Sequence, residues 1–131
     1  MGTMHDARQG LVQVARRWVV HLMAGLCLLL SSPEASAVEI KTIQAYAGHI
    51  LTPLEFSAAL VLWTHESNWN TRARNGSHYG LCQGRSKYLI KANYKAQVRW
   101  CIGYARHRYP STPTQGSMVL ALEHWRQYGW H

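Results

Sequence analysis

The chain has 131 residues and carries 14 Lys and Arg against 6 Asp and Glu, a net charge of +8 with neutral histidines. That length accommodates one small domain beside a targeting segment and excludes a multidomain enzyme. The positive excess calls for an anionic partner, and an acidic cell-wall polymer, a membrane surface or nucleic acid would each satisfy it, because charge sets attraction and not identity.

Residues 8–37 read as a secretory signal. Arg8, Arg16 and Arg17 form a basic start, residues 18–30 an apolar stretch containing His21, and Ala35-Ser36-Ala37 a small-residue cleavage site. The apolar run falls short of the roughly 20 residues that span a bilayer. The expectation is therefore a cleaved signal, no stable membrane span afterwards, and an exported mature chain over residues 38–131. Arg16-Arg17 is also compatible with a twin-arginine signal, whereas Leu26 before Cys27 is too large for the usual lipid-attachment pattern. Export argues against nucleic acid as the partner. Beyond residue 37 the acidic side chains are Glu39, Glu55, Glu66 and Glu123, set against eleven Lys and Arg.

In chain order, residues 39–49 form a first candidate helix. Thr52-Pro53-Leu54-Glu55 is a capping box with proline at the first helical position, and Phe56, Ala59, Leu60 and Trp63 follow at helical spacing, which predicts a helix over 53–66. Residues 67–79 are polar and turn-prone, with Asn68, Asn70, Asn75-Gly76 and Ser77, and read as a loop beside the end of that helix. A short helix is expected over 80–90. A longer one over 93–108 places Val98, Cys101, Ile102 and Ala105 on one inward face. Pro110 and Pro113 break the chain, and Thr114 or Ser117 is expected to cap a last helix carrying Val119, Leu120, Leu122 and Trp125, ended by Gly129. No alternating strand pattern of useful length occurs, so the class is all-α.

Cys82 and Cys101 are an even pair in a small exported domain, and a disulfide is the first expectation. Zinc held by these cysteines with His65, His124 or His131 is the rival reading, which no Cys-x-x-Cys or His-Glu-x-x-His spacing supports. No metal and no cofactor are expected.

Glu66, in the run Trp63-Thr64-His65-Glu66-Ser67-Asn68-Trp69-Asn70, is the candidate general acid. A carboxyl among aromatic rings with few acidic neighbours is suited to keep a proton and deliver it to a leaving group. The bland alternative is a solvated residue at a helix end.

Glu66-Ser67-Asn68-Trp69-Asn70, Ala73, Gly80-Leu81-Cys82-Gln83 and Tyr104 together resemble the soluble lytic transglycosylase domain of the lysozyme-like superfamily, over most of residues 53–131. The resemblance implies a small lysozyme-like helical domain acting on peptidoglycan glycan strands. It implies Glu66 as catalytic acid and base, with Ser67, Asn70, Gln83 and Tyr104 at the substrate site. Gly80 would let the backbone turn close to substrate, Gln83 would hydrogen-bond a sugar or acetamido group, and Tyr104 would present its hydroxyl near the Glu66 carboxyl. The runs 80–89 and 124–131 also look like small members of the family that are rich in Trp and His towards their ends. Two departures stand out: Thr71 replaces a usual proline, and Ala121-Leu122-Glu123-His124-Trp125 replaces a cleft-lining Ala-Tyr-Asn-Ala-Gly run. The asparagine of that run is not carried over, and His124 or Trp125 either serves the cleft or packs the last helix.

Glycoside hydrolysis normally uses two carboxyl groups. Residues 38–131 contain no aspartate, and Glu55 lies about 16 Å from Glu66 along the helix axis at the standard rise. Glu123 is the remaining second candidate, so a one-carboxylate lytic transglycosylase reaction is expected, giving 1,6-anhydro ends. A water-using muramidase and a non-catalytic wall-binding module are the alternatives. Trp63, Trp69, Trp100, Trp125 and Trp130 offer flat faces for sugars, with Trp63 and Trp100 expected in the core. The expected setting is the periplasm or the cell wall and exterior, as a monomer serving wall growth, a secretion or conjugation apparatus, or a phage.

Overall fold

Two side-chain caps define the long helices. Thr52 accepts the Glu55 N–H at 3.3 Å and donates its own hydroxyl proton to the Glu55 carboxylate at 3.3 Å, and Asn93 accepts the Ala96 N–H at 3.0 Å. Each satisfies a helix-start donor that would otherwise need water. The computed structural model describes residues 33–131, so residues 8–32 of the expected signal lie outside the described residues. Among the described residues the elements are α1 (Pro33–Ile50), α2 (Pro53–Ser67), β1 (Arg74–Asn75), β2 (His78–Tyr79), α3 (Tyr88–Lys91), α4 (Tyr94–Arg108) and α5 (Ser117–Tyr128). The class is all-α apart from one antiparallel two-stranded sheet that pairs Arg74 with Tyr79 and Asn75 with His78.

Val38–His131 forms one compact unit. Helix α5 lies against both α2 and α4, and its Met118, Ala121 and Leu122 are buried. They meet Ala58, Ala59, Leu62 and Trp63 of α2 and Val98, Cys101, Ile102 and Ala105 of α4, with Ile43 and Ala47 of α1 closing the same cluster. The expected inward face of α4 is thus observed. Among the described residues no helix is long and apolar enough to cross a membrane.

Three expectations need correction. Residues 80–90 are not a helix: Gly80 sits at φ +71 and Gln83 at φ +49, Tyr79 and Gly84 form an isolated bridge, and regular helix is confined to the single turn of α3. A Cβ on Gly84 would overlap the Trp100 ring, so the chain turns here to let a backbone pass close to an indole. The last helix begins after Gly116, with no side-chain cap from Thr114 or Ser117. Trp69, and not Trp100, joins Trp63 in the core, both 1 % exposed. Trp69 adopts φ +62, folds back edge-on to Trp63 at 5.2 Å, and donates its Nε1 proton to Thr64 Oγ1 at 3.1 Å. Trp100 is half-buried and stacks on Tyr104 at 5.5 Å.

Cys82 and Cys101 form a disulfide across a sequence separation of 19, which removes both from any zinc set. It joins the turn after β2 to the middle of α4. Closing a loop of this length stabilises the fold by about 3 kcal/mol in the chain-entropy picture. Reduction, or the double change Cys82→Ala with Cys101→Ala, is therefore expected to lower Tm by on the order of 15 °C in a domain of this size, read by circular dichroism melts with and without reductant; an unchanged Tm contradicts this assignment of stability.

Candidate active site

Glu66 is the penultimate residue of α2, and the chain reverses immediately after it. Asn68 takes the left-handed conformation at φ +51, its N–H returning to the Thr64 and Trp63 carbonyls; Trp69 is left-handed as well. Asn70 then accepts the Arg72 N–H on its side chain at 2.8 Å, and the Ala73 N–H reaches the Asn70 carbonyl at 3.1 Å. These local bonds turn the loop back across the end of α2 and lead into the small hairpin.

The turn after β2 is fixed from two sides at one residue. The Ser67 hydroxyl donates to the Leu81 carbonyl at 2.6 Å, and the Leu81 N–H donates to Gln97 Oε1 at 3.0 Å. Gln97, on the inner face of α4 and 1 % exposed, also donates through Nε2 to the carbonyls of Thr71 at 2.9 Å, Leu89 at 3.0 Å and Ala92 at 3.2 Å. Gly80 is needed for this approach, since its Cβ would run into the Gln97 amide. The glycine thus admits the Gln97 side chain to the turn.

A cleft of about 470 Å³ opens beside the end of α2. His65 and Glu66 line it from the helix, Ala73, Arg74, Asn75 and His78 from the hairpin, Gln83 from the turn, and Gly129, Trp130 and His131 from the segment after α5. Glu66 is its acidic member, surrounded by one guanidinium and three imidazoles. The Glu66 side chain is 18 % exposed, and its Oε1 lies 3.1 Å from His131 Nδ1.

The residues expected at the site divide. Glu66 and Gln83 share the cleft; Gln83 Nε2 donates to the Gly80 carbonyl at 2.9 Å, which leaves its Oε1 to accept from a ligand. Ser67 lies behind the cleft as the clamp on Leu81. Asn70 is exposed with its side-chain oxygen committed to Arg72, and it does not line the cleft. Tyr104 sits between Trp100 and His131, edge-on to the His131 ring at 6.1 Å. Among the described residues it makes no hydrogen bond to Glu66. Glu123 accepts from Gln115 Nε2 at 2.7 Å and lies outside the cleft lining. Trp125 stacks on His65 at 4.3 Å, and His124 holds the Trp130 carbonyl at 2.8 Å, so this pair supports the cleft wall.

Arg74, His78 and Gln97 were not foreseen, nor was His131 at this carboxylate. Gln97 carried a signal, because it shares the inward face of α4 with Cys101, four residues on. His131 carried none, being 65 residues from its partner. Compared with family models, curated proteins and solved structures, the chain matches none.

Replacing Gln97 by Leu keeps the bulk but strands a buried N–H and the carbonyls it serves, at about 1–3 kcal/mol for a buried polar group left unpaired. Gln97→Leu is expected to lose about 2–4 kcal/mol in urea unfolding, with retained helix content. A loss below about 1 kcal/mol would show that the loops are held by other means.

Proposed function

We propose that the protein is a peptidoglycan lytic transglycosylase in which Glu66 is both acid and base. The observation that carries this reading is the half-buried Glu66 carboxyl as the acidic member of an open, otherwise basic cleft, with the other glutamates from Val38 onward engaged elsewhere. Glu55 serves the Thr52 cap, Glu39 faces Arg72 at 3.4 Å, and Glu123 serves Gln115. A water-using mechanism with two flanking carboxyl groups therefore has less support than a one-carboxylate route.

In that route Glu66 protonates the glycosidic oxygen between N-acetylmuramic acid and N-acetylglucosamine, and the bond to C1 breaks. The 2-acetamido group stabilises the oxocarbenium-like centre that remains. The Glu66 carboxylate then takes the proton of the muramic acid 6-hydroxyl as that oxygen attacks C1, closing the 1,6-anhydro ring and returning Glu66 to its acid form. Water is not consumed.

The cleft walls suit such a substrate. Trp130 is half exposed and offers an apolar face at the sugar-binding edge, and the free Oε1 of Gln83 can accept an acetamido N–H. Arg74 and His78 line the hairpin side, where the lactyl or stem-peptide carboxylates of the strand would be attracted, an attraction that weakens as salt rises. The disulfide belongs to an oxidising compartment, consistent with export to the periplasm or the cell exterior and wall. Service to wall growth, a secretion or conjugation apparatus or a phage are settings that suit the same chemistry.

Glu66→Gln removes the transferable proton while keeping shape. Release of soluble muropeptides from purified peptidoglycan is expected to fall by about 10³-fold, within the range for loss of a general acid–base group, with the melting curve unchanged. Release at the parental rate would remove Glu66 from the chemistry.

A further inference from the structure

We propose that His131 is the positioning residue for Glu66, fixing its carboxyl through Nδ1 and directing the transferable proton to Oε2. This rests on the reading of Glu66 as acid and base. The imidazole is nearly buried, at 6 % side-chain exposure, with Nδ1 3.1 Å from Glu66 Oε1, and among the described residues Glu66 has no other hydrogen-bond partner. With its proton on Nδ1, His131 donates to Oε1 whether Glu66 is the acid or the carboxylate. One donor therefore satisfies the same oxygen in both halves of the cycle, and Oε2 is left to carry the proton out to the glycosidic oxygen and back from the 6-hydroxyl.

The placement of His131 is built by the two helices that flank it. Gly129 ends α5 at φ +76, its N–H on the Trp125 carbonyl at 2.7 Å. The Trp130 carbonyl accepts from His124 Nδ1, its ring stands edge-on to His124 at 4.5 Å, and the Arg108 guanidinium lies over that ring at 5.0 Å. From the α4 side, Tyr104 presses its ring edge-on to His131, backed by Trp100. Residues from α4 and α5 thus hold a histidine against the end of α2. The segment forms a wall of the cleft and does not plug it, because Glu66 keeps 18 % of its side chain accessible.

Two substitutions separate donation from packing. His131→Phe keeps a ring beside Tyr104 and loses the donor; His131→Asn restores a donor at the position of Nδ1. On peptidoglycan, His131→Phe is expected to lower kcat about ten- to a hundred-fold, the scale of a misplaced catalytic group, with KM within about two-fold of the parent, and His131→Asn to recover most of the loss. A second readout needs no turnover: the His131 Nδ1 nitrogen resonance is expected to shift between the parent and Glu66→Gln. Loss of activity in Glu66→Gln with full activity in His131→Phe overturns the proposal and leaves the acid–base reading standing. Full activity in Glu66→Gln overturns that reading instead. An Nδ1 resonance that ignores Glu66→Gln overturns the proposal whatever the activity.

Discussion

The carboxamide of Gln97 is the constraint on which the site depends. Irregular backbone in a protein interior must find hydrogen-bond partners or lose stability, and beyond the Tyr79–Gly84 bridge the turn after β2 has no sheet ladder to supply them. One side chain substitutes for it: Gln97 receives the Leu81 N–H and reaches the carbonyls of Thr71, Leu89 and Ala92. Three loop segments are thereby referred to a single rigid helix. Ser67 then joins the Leu81 carbonyl to the end of α2, and the Cys82–Cys101 bond fixes the next residue. Gln83 and Glu66, 17 positions apart in the chain, acquire a set relation because Leu81 is held from both directions.

Residue chemistry made part of this legible in advance. The capping box at Thr52, the Asn93 start of α4, the Gly129 stop and the inward stripe of α4 follow from local rules that act within a few residues, and each is present. The segment 80–90 defeated the same rules. Its composition allows a helix, but two left-handed residues and the close passage of Gly84 over Trp100 are tertiary demands that periodicity does not encode. The exchange of Trp100 for Trp69 in the core has a like origin: burial of Trp69 depends on two successive left-handed residues after α2, which non-glycine side chains seldom adopt. Ser67 and Asn70 were singled out as substrate contacts, yet their oxygens are used to build the turn. Glu66 shares its cleft with the Trp130 and His131 rings, whereas Trp63 and Trp69 are buried outside the cleft lining.

The distribution of charge explains how so basic a chain presents one carboxyl in this cleft. With four acidic residues from Val38 onward, three are committed to cap, loop and helix contacts, and the fourth faces imidazoles and a guanidinium. On the proposed reading, such a cleft would draw an anionic polymer by its field and offer one carboxyl at the reacting bond. Attraction of substrate and chemistry would then fall to different residues. The wall opposite the hairpin is made by the segment after α5, so that the interlocked His124, Tyr128 and Trp130 rings bear on the geometry at Glu66.

In the proposed reaction Glu66 closes a ring and does not deliver water. Oxidised protein incubated with purified peptidoglycan in heavy-oxygen water, followed by mass spectrometry of the released muropeptides, tests it directly. Ring closure by Glu66 gives 1,6-anhydro ends without incorporated label. Reducing ends carrying the heavy oxygen would contradict it and make the protein a hydrolase.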